Sequence, residues 1–170
     1  SAASSCASCW LNGRPAGDPD RLLTVDDLTS IAEPPGTLLI ELPQRDLGGQ
    51  LPTWGELVEA CEKARERGWA LHLDGARLWQ CGPFYARTFV EIAALFDTVY
   101  VSFYKDLRAP AGCALAGPAE FVDEARVWLV RHGGRMHRVH PLLVAAERGL
   151  DEVLPRMPEF VAHARELGAA

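Results

Sequence analysis

The chain has 170 residues, of which 48% are hydrophobic and 24% charged, and its formal net charge is −6. This composition is typical of a soluble globular protein, and its acidic balance excludes nucleic acid as the main partner because phosphate binding needs a basic face. Residues 1–5 (SAASS) lack both the basic and the apolar region of a secretory signal. No uncharged apolar run approaches the ~20 residues that span a bilayer, so no membrane partner is expected.

The five cysteines are scattered, at positions 6, 9, 61, 81 and 113. An odd and irregularly spaced set does not form a disulfide framework, which predicts a reducing, cytoplasmic location. Cys6 and Cys9 form a C-x-x-C pair, but they lie in a Ser/Ala-rich terminus with no strand before them and no second pair. We therefore interpret the pair as incidental and expect residues 1–16 to be a poorly ordered lead-in.

After the lead-in, the sequence pattern alternates between helix and strand. A first helix is expected over residues 22–32 with Thr24 as its N-cap. A second helix begins at a capping box of Thr53 and Glu56 and ends at Gly68. Further helical patterns end near Phe96 with a break at residues 82–83, cover residues 120–130, and follow His140.

Four short apolar runs have the composition of strands and lie at residues 37–42, 69–73, 98–104 and 112–117. Their alternation with helices indicates an α/β fold, which we expect to be a three-layer, mostly parallel sheet with helices on both faces. The main domain is expected over residues 17–138. Residues 139–170 are expected to be a helical segment that leads toward a smaller C-terminal domain.

Three of the predicted strands have a charged residue at or just after their carboxyl end: Glu41, Asp74 and Lys105. Ligands of open α/β sheets bind outside the carboxyl ends of the strands, so we expect these groups at one site. An aspartate keeps a neighbouring pyridine nitrogen protonated, a lysine supplies the amine for a Schiff base, and an arginine such as Arg77 binds a carboxylate bidentately. These residue types together are what holding pyridoxal phosphate requires.

Each of these residues also has a purely structural interpretation. Asp74 could cap the helix that follows, Arg77 could lie on the surface of that helix, and Lys105 could be a solvated loop lysine. His72 lies in an apolar strand and fits a hydrogen-bonded core histidine better than a catalyst. The combination favours a cofactor site over the separate interpretations.

The segment at residues 131–140 contains three histidines, His132, His137 and His140, and raises the question of a metal site. Clustered arginines surround them, and no carboxylate or cysteine is near in sequence, which disfavours zinc. The sequence favours a solvated basic loop, or a phosphate or partner contact, and we expect no metal.

On these motifs the chain resembles the threonine aldolase and aromatic amino acid beta-eliminating lyase family of fold-type-I pyridoxal-phosphate enzymes. The resemblance covers residues 17–140 and rests chiefly on residues 71–77 (LHLDGAR) and 102–112 (SFYKDLRAPAG). Residues 41–49 (ELPQRDLGG) and 131–136 (RHGGRM) also match the family pattern. Asp106 and Arg108 stand where the family has a glycine-rich turn after its lysine.

The resemblance implies a partial large domain in which Asp74 pairs with the pyridine nitrogen, Lys105 forms the Schiff base, and Arg77 helps to hold the substrate carboxylate. It implies a lyase that acts on amino acids, by retro-aldol cleavage of a β-hydroxy amino acid to glycine and an aldehyde or by β-elimination. It also implies assembly as a dimer or tetramer. The alternative is a non-catalytic, truncated fragment that keeps the sheet and binds no cofactor.

Overall fold

The centre of the protein is a mixed sheet of six strands. A computed structural model describes residues 9–11, 14–15, 17–32 and 36–169. The strands are β1 (Cys9–Leu11), β2 (Arg14–Pro15), β3 (Thr37–Glu41), β4 (Ala70–Gly75), β5 (Thr98–Ser102) and β6 (Cys113–Ala116). Their order across the sheet is β2-β1-β3-β4-β5-β6, with β3, β4 and β5 parallel and the outer pairings antiparallel. The α/β prediction is confirmed, but the sheet is mixed rather than mostly parallel, since three of the five described strand pairings are antiparallel.

Two of the strands, β1 and β2, lie within the segment for which the sequence predicts only a lead-in. The backbone of β1 pairs with β3, with Trp10 opposite Leu39. The sequence misses this strand because its pairing depends on the free edge of a distant strand rather than on its own composition. Cys6 lies outside the described residues, so the interpretation of the C-x-x-C pair stays a prediction, as do the domain boundaries.

Seven α-helices occur among the described residues: α1 (Val25–Ser30), α2 (Trp54–Glu66), α3 (Leu78–Tyr85), α4 (Phe89–Ala93), α5 (Ala119–Arg131), α6 (His140–Arg148) and α7 (Met157–Gly168). A π-helical turn (Gly149–Val153) and a 3-10 turn (Leu154–Arg156) join α6 to α7. The predicted cap at Thr24 and the predicted capping box of Thr53 and Glu56 are both confirmed. None of these helices is long and apolar enough to cross a membrane.

The predicted break at residues 82–83 is wrong, since Pro83 lies inside α3. The helix ends instead at Ala86, whose φ of 52° is left-handed, and α4 begins after the cap that Thr88 forms with Glu91. Gly82 is needed within α3 because a Cβ there would lie 2.9 Å from Cε1 of Phe89. Pro83 has no amide hydrogen, so α3 lacks the hydrogen bond that another residue there would donate to the Trp79 carbonyl four positions earlier.

The two faces of the sheet are buried to different degrees. The first face carries the largest apolar side chains of the three parallel strands, and its core members include Leu38, Ile40, Leu71, Leu73 and Val99. The second face carries half-buried side chains, among them His72, Asp74 and Tyr100. Gly117 leads from β6 into α5 at a point where a Cβ would lie 2.9 Å from both Phe121 and Thr98.

Candidate active site

The predicted acidic residues meet at the carboxyl edge of the parallel strands. Glu41 of β3 lies opposite Asp74 of β4, which in turn lies opposite Tyr100 of β5. Asp74 is half-buried, and its Oδ1 accepts a hydrogen bond of 3.0 Å from the Ala76 amide. The interpretation of Asp74 as a helix cap is wrong, because α3 begins later and its N-cap position is Arg77.

Arg77 turns its guanidinium inward rather than into solvent. The side chain is half-buried, and Nη1 is buried without a hydrogen-bond partner among the described residues. The interpretation of Arg77 as a surface arginine is therefore wrong. A buried N–H group that lacks an acceptor is costly, so this nitrogen is fitted to receive an oxygen from a bound anion.

Lys105 lies in the loop of residues 103–112, which follows β5 and contains two backbone hydrogen bonds of its own. The Phe103 amide donates to the Gly112 carbonyl at 3.0 Å, and the Ala109 amide donates to the Phe103 carbonyl at 2.9 Å. Lys105 is half-buried, and its Nζ lies 5.9 Å from the centre of the Tyr104 ring. It forms no ion pair within the described part of the chain, so its amine is not held by a carboxylate.

The electrostatics indicate that the charges of Arg77 and Lys105 act on two neighbouring carboxyl groups, Glu41 and Asp106. Burial raises the pKa of Glu41 above its ordinary value, and the charge of Asp74 raises it further, whereas Arg77 and Lys105 oppose the shift. Burial also raises the pKa of Asp106, and there a hydrogen bond from Gln80 and the charges of Arg77 and Lys105 oppose the shift. Since Arg77 and Lys105 act on both carboxyl groups, these side chains form one cluster with Asp74.

Two residues that the sequence analysis missed fix the lysine loop to the start of α3. Trp79 Nε1 donates to the Ser102 carbonyl at 2.9 Å, and Gln80 Nε2 donates to Oδ1 of Asp106 at 2.9 Å. The two acceptors flank Lys105 in sequence, and the two donors closely follow Arg77. The only sequence signal for these two hydrogen bonds is that the donors lie close in sequence to Arg77 and the acceptors close to Lys105. Ser102 itself is fully buried, and its Oγ has no partner among the described residues.

His72 behaves as the sequence predicts. Its Nδ1 pairs with Oγ1 of Thr98 at 2.7 Å, and burial lowers the pKa of its half-buried ring. The basic segment is exposed at His132, His137 and His140. No group of three or more histidine, cysteine or acidic residues within the described ranges is arranged to hold a metal ion.

Comparison with known proteins assigns the chain to a family. The sequence model described as Beta-eliminating lyase matches residues 20–170. The chain belongs to the beta-eliminating lyase family. The low specificity L-threonine aldolase of Escherichia coli K12 is 32% identical over 123 residues, which are 72% of this chain and 37% of the enzyme. The low-specificity L-threonine aldolase of Candida albicans is 30% identical over 146 residues, which are 86% of this chain and 38% of the enzyme.

Solved structures of family members share the fold. A Listeria monocytogenes protein assigned as an L-allo-threonine aldolase superposes with a TM-score of 0.87 and 46% identity, covering 90% of this chain and 43% of its own. The threonine aldolase of Leishmania major gives a TM-score of 0.69 and 26% identity over 92% of this chain and 47% of its own. The chain thus spans less than half the length of each of these four relatives. The predicted family is confirmed.

The cluster fits pyridoxal phosphate, the cofactor of this family. The unpartnered Nη1 of Arg77 and Oγ of Ser102 are buried polar atoms that lack partners within the described residues and would gain them from a bound group. Asp74 has an oxygen that receives no hydrogen bond in the described part of the chain, and Lys105 has an unpaired amine. These are an acid, a cation and an amine of the types that the cofactor and an amino acid require.

Proposed function

We propose that this chain is the cofactor-binding part of a pyridoxal-phosphate-dependent lyase that acts on amino acids. The observation that carries the proposal is the cluster of Asp74, Arg77 and Lys105 at one edge of the sheet, with the inward-turned Nη1 of Arg77 lacking an acceptor among the described residues. Family membership supports it.

In this proposal each of the three side chains has one role. The carboxylate of Asp74 would pair with the pyridine nitrogen and keep a proton there, because opposite charges favour each other's ionised form in a low dielectric. The amine of Lys105 would hold the cofactor covalently. Arg77 binds the substrate carboxylate. When bound, the cofactor supplies an electron sink for the bond that breaks at the substrate α-carbon.

For the reaction, we propose cleavage of the Cα–Cβ bond of a β-hydroxy amino acid to glycine and an aldehyde. This choice rests on relatives that are named as threonine aldolases. β-Elimination is the second outcome that the site chemistry permits. An assay that follows glycine and aldehyde on one side, and ammonia and a keto acid on the other, separates the two reactions.

The cofactor role of Lys105 can be tested on the chain itself, because Lys63 and Lys105 are its only lysines. Pyridoxal phosphate is expected to give a visible absorbance band that persists in Lys63→Ala and disappears in Lys105→Ala. Reduction with borohydride followed by peptide mass mapping is expected to find the label on Lys105. Label on Lys63 or on the amino terminus alone would refute the assignment, and a chain that takes no label would match the non-catalytic alternative.

The role of Asp74 needs a variant that keeps the side-chain shape. In Asp74→Asn the hydrogen bond from the Ala76 amide can persist, while the charge is lost. We expect the lyase rate to fall by about 100-fold or more. Asp151→Asn, at an exposed residue of the π-helical turn, is the control, and an equal loss in both variants would contradict the proposal.

The proposal includes self-association and a cytoplasmic location. Self-association is supported by apolar side chains that remain exposed on α5 and α6, among them Trp128, Leu129 and Leu143. Such a surface is typical of a protein interface. The location is supported by the free thiols of Cys61, Cys81 and Cys113. Sedimentation analysis in the presence of a reductant tests the first of these statements.

A further inference from the structure

A cavity of about 470 Å³ lies between α3, α7 and the loops that follow β3 and β5. This volume is within the range of roughly 300–1,000 Å³ that small-molecule sites occupy. Much of its lining is apolar, including Leu51, Phe84, Met157, Phe160 and Val161. Asp74, Arg77 and Lys105 are not among its lining residues, whereas Gln80 and Asp106 are, so the cavity adjoins the candidate active site and shares with it the contact that fixes the lysine loop.

Two guanidinium groups border this cavity, and each is associated with a phenylalanine ring. Arg165 lies 4.9 Å from the centre of the Phe84 ring, and its Nη2 donates to the Phe84 carbonyl at 3.3 Å. Arg108 lies 6.0 Å from the centre of the Phe160 ring. Neither Arg108 nor Arg165 forms an ion pair with a carboxylate within residues 36–169. Both therefore keep donors free for a ligand.

The lining has one acidic residue, Asp106, and one of its two oxygens is engaged. Its Oδ1 accepts the hydrogen bond from Gln80, whereas its Oδ2 is buried without a hydrogen-bond partner among the described residues. A ligand in the cavity therefore meets two available cations and one carboxylate that is partly engaged by Gln80. This charge pattern favours an anion over a cation.

We propose that the cavity binds a small carboxylic acid with an aromatic or branched apolar tail. The tail would pack between the rings of Phe84 and Phe160, where aromatic contacts add to apolar burial. The carboxylate would accept hydrogen bonds from Arg108 and Arg165, since a guanidinium matches a carboxylate in shape and charge. The proposal does not depend on pyridoxal phosphate or on lyase activity.

The test uses 3-phenylpropionate as the probe and compares it with its uncharged amide and with 3-phenylpropylamine. Chemical-shift titration of the wild-type chain is expected to give a dissociation constant on the order of 1 mM for the acid. We expect the amide and the amine to bind at least about fivefold more weakly. No shift at several millimolar acid, or equal or tighter binding of the amide or the amine, would overturn the proposal.

Variants locate the site on the protein. Arg165→Gln and Arg108→Gln are expected to weaken binding of the acid at least about fivefold each, and Ala164→Trp is expected to block it by filling the cavity. Arg126→Gln is the matched control, since Arg126 is an exposed arginine of α5 whose partner is Asp123. If all four variants bind like the wild type, the acid binds elsewhere and the proposal fails. If a variant does not fold, the acid, amide and amine series on the wild type still decides.

Discussion

Gln80 Nε2 donates to Oδ1 of Asp106 over 2.9 Å and so joins the first turns of α3 to the loop that carries Lys105. The backbone of Gln80 is itself bonded to the Arg77 carbonyl at 3.2 Å. A single side chain therefore links the proposed carboxylate-binding arginine to the proposed cofactor lysine. Because loops open locally more easily than the helices and strands that they join, this contact is expected to govern how rigidly Lys105 is held.

We predict that Gln80→Ala speeds tryptic cleavage after Lys105 and Arg108 by about fivefold to 100-fold. The variant leaves a half-buried carboxylate without its donor, which costs about 1–3 kcal/mol and favours the open loop. Peptide mapping at short digestion times measures the rates. Gln50→Ala is the control, because Gln50 is exposed and its hydrogen bond from the Gln44 amide is accepted by its backbone carbonyl. Equal cleavage in the two variants would show that the contact does not restrain the loop.

Trp79 and Trp128 provide a matched pair of indole donors in different surroundings. Trp79 is 8% exposed and donates to the Ser102 carbonyl at 2.9 Å, whereas Trp128 is 46% exposed and donates to Glu124 at 2.7 Å. We predict that Trp79→Phe lowers the free energy of unfolding by about 2–4 kcal/mol, because it leaves a buried carbonyl unpaired and a small void. Trp128→Phe is predicted to change it by less than about 0.5 kcal/mol.

Urea unfolding of both variants, followed by circular dichroism, measures this difference. A similar loss in the two variants would mean that ring volume, and not the buried hydrogen bond, accounts for the effect. A loss confined to Trp79→Phe would identify the bond to Ser102 as part of what fixes the end of β5.

The sequence predicts the edge of the sheet at which the charged residues gather. Continuous apolar runs before Glu41 and Asp74 identify parallel strands, and parallel strands end at one edge, so the register of these two acids follows from the pattern. The capping boxes are also visible in sequence, because each depends on residues only three positions apart. The roles of Asp74, Arg77 and Lys105 in catalysis remain predictions.

The contacts that fix the site are not visible in sequence. Trp79 and Ser102 are 23 positions apart, and Gln80 and Asp106 are 26 apart, so neither pair has a local signal. The inward direction of Arg77 depends on where α3 begins, and a shift of one residue there would turn the side chain elsewhere. Asp106 stands where the family has a glycine-rich turn, and its hydrogen bond to Gln80 of α3 has no local signal in the sequence.

Gly75 and Gly55 allow a test of how closely β4 packs against β5 beside Asp74. A Cβ at Gly75 would lie 2.7 Å from the Tyr100 carbonyl oxygen, whereas a Cβ at Gly55 in α2 would meet nothing within 4 Å. We predict that Gly75→Ala destabilises the protein by about 1–3 kcal/mol, since β4 and β5 must separate. Gly55→Ala is predicted to be neutral or to stabilise by up to about 1 kcal/mol, because alanine favours the helix.

Thermal or urea unfolding of the two glycine variants measures both effects. Gly75→Ala is expected to lower the free energy of unfolding, and Gly55→Ala to leave it unchanged or raise it. The comparison therefore does not depend on the absolute free energy of unfolding of either variant. If Gly75→Ala were neutral, the carboxyl edge would be able to widen at no cost, and the close packing of β4 on β5 would not be what positions Asp74.

Glu41 makes the stability of the protein depend on pH in a defined direction. Burial, and then the charge of Asp74, raise the pKa of Glu41 above its ordinary value of 4.5. In the pH range between the unfolded and the folded pKa, the folded state binds more protons, so the contribution of Glu41 falls as pH rises through that range. We therefore predict that Glu41→Gln raises the free energy of unfolding at pH 7 and has little effect below about pH 4, where the carboxyl group is protonated in both states.

The measurement is a set of urea unfolding curves for wild type and Glu41→Gln at several pH values from about 3 to 8. Glu59→Gln is the control, because Glu59 is exposed on α2, and its change is expected to stay within about 0.5 kcal/mol at every pH. A gain for Glu41→Gln that is equal at low and neutral pH would mean that packing, not charge, is relieved. A loss at pH 7 would mean that Arg77 and Lys105 outweigh burial, so that Glu41 stabilises these two cations while no ligand is bound.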